Sequence, residues 1–183
     1  MKFKEKSVII TADESQRIVD RMAYEMIERN RGVKNVVMIG IQTKGVLLAK
    51  AVRRKIFEIE GVKLPLGTLD ITFYRDDLTR LGAHPVVKDT HIPFSIEDKK
   101  IILVDDVLYS GRTVRSAMDE IFDMGRPERV ELAVLVDRVQ REVPISADYV
   151  GRTAPTKSSE YISVEMTDEG VIEKVSICSK EEG

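Results

Sequence analysis

The chain has 183 residues, 43% hydrophobic and 33% charged, with 29 Lys and Arg against 31 Asp and Glu for a formal net charge of −2. That length suits one domain with a sizeable core. The near-neutral balance excludes a global attraction to nucleic acid, DNA included, so any RNA site must be a local basic patch. No stretch of about 18 apolar residues exists to span a membrane, and the apolar run in MKFKEKSVII is too short for a signal-peptide core. A single cysteine, Cys178, excludes an internal disulfide and fits a cytoplasmic location, while His84 and His91 are too few for a zinc site.

Thr11 followed by Glu14 reads as a capping box, and Ile18, Val19, Met22, Met26 and Ile27 recur at helical spacing until Gly32. This predicts a helix from about Ala12 to Asn30. Val36 to Ile41 predicts a buried strand, and the loop GIQTKG (Gly40 to Gly45) separates it from a second helix that carries Leu47, Leu48, Ala51, Val52, Ile56 and Phe57 inward. The two glycines are spaced as in a P-loop, but Val46 and Leu47 stand where Lys and Ser or Thr would hold a nucleotide. A glycine-bounded helix start is the plain alternative for this loop. Thr68 to Tyr74 alternates like a strand. From Arg75 to Phe94 the pattern disappears, and an irregular stretch of that length is either functional or a solvated loop.

The most informative stretch is IILVDDVLYSGRT, Ile101 to Thr113. Ile101, Ile102, Leu103 and Val104 fit a fully buried strand and Asp105 and Asp106 follow it. Val107, Leu108 and Tyr109 then lead into a small-residue turn, Ser110-Gly111-Arg112, that opens a helix at Thr113. Amides of a tight loop feeding a helix N-terminus converge on one anion, and two neighbouring carboxylates accept well from two sugar hydroxyls, so the order reads as a ribose phosphate site. A βα connection with a solvated acidic pair is the alternative. Val114, Ala117, Met118, Ile121 and Phe122 form the buried stripe of the helix, which ends at Gly125. Glu131 to Val136 and Ala147 to Val150 are the next strands, and a hairpin, Tyr161 to Met166 and Val171 to Cys178, turns at Thr167 to Gly170. Apolar strands this unbroken predict an α/β fold, a mainly parallel sheet with helices on both faces and ligands at the strands' carboxyl ends.

The 101–113 stretch resembles the phosphoribosyl pyrophosphate (PRPP) signature of type I phosphoribosyltransferases. EMIERN (25–30), DITFYRDDL (70–78), ILVDDVLYSGRTVR (102–115), LAVLVDR (132–138) and REVPI (141–145) extend the resemblance to the bifunctional pyrimidine-operon regulators that are also uracil phosphoribosyltransferases. It implies a type I phosphoribosyltransferase fold in one domain, 1–183, with a core of about 33–136. A small hood would come from the N-terminal segment and about 137–183, and a flexible β-arm or mobile loop would span about 75–94. It also implies conversion of uracil and PRPP to UMP and pyrophosphate, with Mg2+ held through PRPP and water near Asp105 and Asp106 and not by protein ligands directly.

By the same resemblance Ile101 to Thr113 bind PRPP, Asp105 and Asp106 are catalytic, and Val136, Asp137 and Arg138 meet uracil. Thr43, Lys44 and Gly45 meet pyrophosphate in a loop that often carries a strained peptide bond. Arg75 and Asp77 join the catalytic set from a lid that also offers Asp76 and Arg80. Lys44 stands where relatives commonly have Arg, which keeps the charge and loses the planar fork. Tyr109 stands where purine enzymes usually place an aspartate.

The resemblance further implies that UMP or UTP in this site strengthens binding of pyrimidine-operon leader RNA, and that the chain forms a homodimer or higher homo-oligomer. Arg21, Arg141, Arg152 and Lys157 are the basic residues available for an RNA face; ordinary surface cations are the alternative. The sequence departs from its relatives at Asp20 and Tyr24 (threonine and histidine), Gln140 (histidine) and Ser146 (arginine), which predicts weaker RNA binding or a different RNA. A uracil salvage enzyme without RNA binding and a purine phosphoribosyltransferase remain the alternatives.

Overall fold

In the computed structural model, which describes residues 3–71 and 89–180, the capping box forms as the sequence predicts. Glu14 N–H donates to the Thr11 hydroxyl, and Thr11 N–H donates to the Glu14 carboxylate at 2.9 Å. These bonds start α1 (Ala12–Asn30) directly at the end of β1 (Phe3–Thr11). The chain continues through β2 (Val36–Ile41), α2 (Lys44–Glu60), β3 (Leu66–Leu69), β4 (Lys100–Leu108), α3 (Arg112–Met124), β5 (Arg129–Asp137) and β6 (Tyr149–Thr153), and ends in the hairpin β7 (Glu160–Met166) and β8 (Ile172–Lys180).

Five strands form one parallel sheet in the order β3-β2-β4-β5-β6. Its strands are apolar on both faces because both are covered. One core packs α1 and α2 through Met22, Met26, Leu48, Val52 and Ile56 onto Met38, Ile102, Val104 and Leu135. The other packs α3 through Val114, Ala117 and Ile121 onto Ile39, Leu103 and Val134. The strand order reverses between β2 and β4: the chain leaves β2 toward β3, then returns to the other side of β2. In an open α/β sheet the carboxyl ends of such a pair diverge into a crevice.

The second sheet, β1-β8-β7, is antiparallel. The hairpin lies where the sequence predicts, but β1 is a strand the sequence did not reveal. Its charged residues are matched across the sheet and not along the chain: Glu5 pairs with Lys174 at 2.7 Å and Lys6 with Glu160 at 2.8 Å.

Four other expectations are corrected. β4 runs through the acids to Leu108 and does not stop at Val104, because Asp105 and Val107 continue the ladder with Val134 and Val136. Phe57 and Phe122, expected inside, are 49% and 53% exposed; each lies about 100° around its helix from the buried Ile56 or Ile121. The strand expected at 147–150 forms at Tyr149–Thr153, after the Asp148 carboxylate has accepted the Leu132 N–H at 2.8 Å. β6 therefore edges the main sheet, although it falls among residues expected in the hood. The strand predicted at 68–74 is seen as β3, Leu66–Leu69, and residues 72–88 lie outside the described ones.

Candidate active site

β2 ends at Ile41, and after Gln42 and Thr43 α2 begins at Lys44, with Thr43 at its N-cap and no side-chain hydrogen bond closing the helix end. The peptide bond between Gln42 and Thr43 is cis, in the loop where a strained bond was expected. Gly45 is buried in the first turn of α2 against the Val104 carbonyl and the Asp105 Cα, and any Cβ there would run into both. The glycine lets the helix start press directly on the acidic end of β4.

β4 gives way to α3 through Tyr109, Ser110 and Gly111 alone. Gly111 caps α3 with φ 88°, a left-handed conformation suited to glycine, and again no side chain caps the helix. Ser110 Oγ accepts from the Arg112 N–H at 3.3 Å, and the Ser110 carbonyl accepts from the N–H groups of Glu142 and Val143 at 2.9 and 3.2 Å. The turn is thus fastened to the 142–143 segment through the Ser110 carbonyl. Two positive helix ends meet at the β2–β4 switch point, an arrangement that attracts phosphate. Arg112, expected to help grip that phosphate, pairs its Nε with Glu142 at 2.5 Å.

Asp105 is buried, and its carboxylate accepts from the Asp106 N–H at 2.9 Å. Burial pushes its carboxyl well above the ordinary carboxylate range, and the charge of Asp106 and a hydrogen bond between the two carboxyls push it further. Among the described residues no group of three or more His, Cys, Asp or Glu could hold a metal ion. Arg75, Asp76, Asp77 and Arg80 lie outside the described residues.

The phosphoribosyl transferase domain family matches residues 9–168 of the chain. The bifunctional protein PyrR of Deinococcus deserti is 49% identical over 177 residues, covering 97% of each chain, and that of Caldicellulosiruptor bescii is 55% identical over 163 residues, covering 89% of this chain and 88% of its own. The chain belongs to the phosphoribosyl transferase family, among the PyrR proteins. Solved structures agree in fold. A hypoxanthine-guanine phosphoribosyltransferase of Bacillus anthracis superposes with a TM-score of 0.70 at 21% identity over 97% of this chain and 99% of its own. The Trypanosoma cruzi hypoxanthine enzyme superposes with a TM-score of 0.71 at 17% identity over 97% and 98%.

The residues this PyrR-family chain was expected to turn toward uracil end β5. Val136 is fully buried in the sheet. Asp137 accepts from the Arg141 guanidinium with both oxygens at 2.7 Å. Arg138, 5% exposed, donates from Nε to Thr156 Oγ1 at 2.6 Å and from Nη2 to the carbonyls of Lys157 and Glu160 at 3.2 and 2.8 Å, and it lies 3.8 Å from the centre of the Tyr109 ring. The end of β5 is therefore tied to the turn after β4 through Tyr109 and to the chain at and just before the start of β7 through Arg138. The sequence did not connect Thr156 or Gln140 with Arg138. Only their folded proximity to Arg138 identifies them.

Three of the four cations expected on an RNA face have internal partners. Arg21 donates to the carbonyls of Val150 and Gly151 and to Glu25, and Arg152 to the Ile9 carbonyl and Glu14. Arg141 serves Asp137 and the carbonyls of Tyr109, Gln140 and Ile145. Lys157 is exposed.

Proposed function

We propose that the protein transfers the phosphoribosyl group of PRPP to uracil, giving UMP and pyrophosphate, and that uridine nucleotides in the same site govern its binding to pyrimidine-operon leader RNA. The observation that carries the enzymatic reading is the meeting of two helix starts without side-chain caps and an acidic pair, Asp105 buried and Asp106 partly exposed, at the β2–β4 switch point. The α3 start and the turn at 109–111 take the 5′-phosphate. The α2 start, with Thr43, Lys44 and Gly45, takes pyrophosphate. Asp105 and Asp106 accept from the ribose hydroxyls.

In this reading bond cleavage leaves a cationic sugar carbon, and the acidic pair sits beside that developing charge. No general base is required of the chain; holding uracil in line with the anomeric carbon supplies the rate. Asp105 and Asp106 would hold Mg2+ indirectly, through PRPP and water, and the ion would supply charge neutralisation for the departing pyrophosphate. Arg75 and Asp77 complete the catalytic set. With its one cysteine buried, the chain suits a cytoplasmic enzyme.

The regulatory half rests on the likeness to proteins named bifunctional at 49–55% identity. Because Arg21, Arg141 and Arg152 have internal partners, few charges meet RNA and the salt dependence of binding is shallow.

Two measurements test the halves separately. With labelled uracil, PRPP and Mg2+, the protein forms UMP and prefers uracil to hypoxanthine or guanine; preference for a purine overturns the assignment. In filter-binding titrations at two salt concentrations, UMP tightens the complex with leader RNA. Turnover without any RNA binding leaves a salvage enzyme.

A further inference from the structure

Gln140 and Arg138 close on the same residue. Gln140 Nε2 donates to the Thr156 carbonyl at 2.6 Å, and Arg138 Nε donates to the Thr156 hydroxyl at 2.6 Å. A carbonyl can only accept, so the Gln140 amide has one orientation, nitrogen toward Thr156 and Oε1 away. That Oε1 is buried without a hydrogen-bond partner among the described residues. A buried acceptor left unmatched is costly, and in a native protein it calls for a ligand or a role.

The neighbouring guanidinium is unmatched in the opposite sense. Nε and Nη2 of Arg138 are taken, whereas Nη1 makes no hydrogen bond and no carboxylate lies within ion-pair distance among the described residues. The backbone brings the two side chains to the same residue, Thr156. Val139 between them has φ 65°, which is strained for a β-branched residue, and its N–H donates to Asp137 Oδ1 at 2.7 Å. In that turn the side chains at 138 and 140 both reach Thr156, while Val139 stays 56% exposed.

We propose that Gln140 is a specificity residue of the base site: its Oε1 accepts the N3–H of uracil, and Arg138 Nη1 donates to the adjoining ring carbonyl. Tyr109 fixes the guanidinium by stacking on it at 3.8 Å, which makes it a positioning residue. The inference rests on the uracil reading above. Uracil presents a donor beside an acceptor and so completes both unmatched groups. Cytosine presents a lone pair at N3 and an amine beside it, setting acceptor against acceptor and donor against donor.

The test is calorimetric binding of UMP, CMP, N3-methyl-UMP and PRPP to the full chain. The wild type prefers UMP to CMP and to N3-methyl-UMP by about tenfold or more, the discrimination expected of one buried hydrogen-bond pair. Gln140→Leu weakens UMP about tenfold, brings UMP and CMP within about threefold and leaves PRPP within about twofold. Gln140→His, whose neutral ring also offers one donor and one acceptor, retains the preference. An unchanged UMP-to-CMP ratio in Gln140→Leu, equal losses for UMP and PRPP, or wild-type tolerance of the N3-methyl group would each overturn the proposal. If Gln140→Leu does not fold, the N3-methyl comparison in the wild type still decides. A wild type that binds neither UMP nor PRPP instead defeats the underlying reading, a result visible before any variant is made.

Discussion

At the amino-terminal rim of the parallel sheet, Asn30, Arg129, Glu131 and Tyr149 satisfy one another. The Tyr149 hydroxyl donates to Glu131 at 2.6 Å, Asn30 Nδ2 to the same oxygen at 3.0 Å, Arg129 to Asn30 Oδ1 at 2.8 Å, and Arg129 Nε lies 3.1 Å from the other Glu131 oxygen. Burial and the bond to Glu131 keep the Tyr149 phenol neutral far above its ordinary range. At the carboxyl-terminal rim the same sheet carries two carboxyls that repel each other, two helices without side-chain caps, and a buried Gln140 oxygen without a partner among the described residues. One rim uses buried polarity to hold elements together, and at the other it stays unmatched among the described residues, as the proposed site requires. Position on a strand decides which, since in parallel α/β sheets the helix starts converge only at the carboxyl ends.

The contrast breaks most sharply at the acidic pair. Asp105→Asn with Asp106→Asn should cut UMP formation by about a thousandfold or more while circular dichroism stays native; near wild-type turnover would remove these carboxylates from the mechanism. The same substitution should stabilise the fold, with a definite sign in pH. Below about pH 4 the Asp105 proton is held in both states. Above that the unfolded chain releases it first, so wild-type stability falls as pH rises toward the raised folded value. Melting curves from pH 4 to 7 should show that slope in the wild type and lose most of it in the double variant.

Gly45→Ala is the next largest effect. The added Cβ pushes the α2 start off Val104 and Asp105. We expect about 1–3 kcal/mol of destabilisation and about a hundredfold loss in kcat/KM, measured by melting and by the uracil assay. Tyr149→Phe should do the reverse of the acidic-pair variant: stability falls by about 1–2 kcal/mol and Tm by about 3–8 °C, while kcat/KM changes less than about twofold. A comparable loss of activity would show that the amino-terminal rim communicates with the site. Smallest is Arg115→Ala, which removes an ion pair with Asp119 at 2.7 Å in which both side chains are about half exposed, and should cost under about 0.5 kcal/mol by melting.

Much of this molecule is legible one segment at a time. The capping box, the helical stripes and the apolar strands depend on neighbours three or four residues away, and the turn from Asp105 to Thr113 depends on a glycine that can take positive φ. Such short-range rules place α1, β2, β4, α3 and the tail hairpin without reference to the rest of the chain. They fail at β1, whose charges are matched only by Glu160 and Lys174 more than 150 residues on. They fail also at Phe57 and Phe122, where spacing alone could not set how far the buried stripe extends around each helix.

Short-range rules thus establish that a strand, two acids and a glycine turn open a helix, and that a second strand and glycine loop open another. Packing alone settles that these two starts stand side by side, that Arg21 and Arg152 turn to backbone carbonyls, and that Gln140 meets Arg138 over Thr156. The reason is physical: local geometry and capping act over a few residues, whereas the partner of a buried polar group is whatever distant segment the packed sheet brings within hydrogen-bond reach.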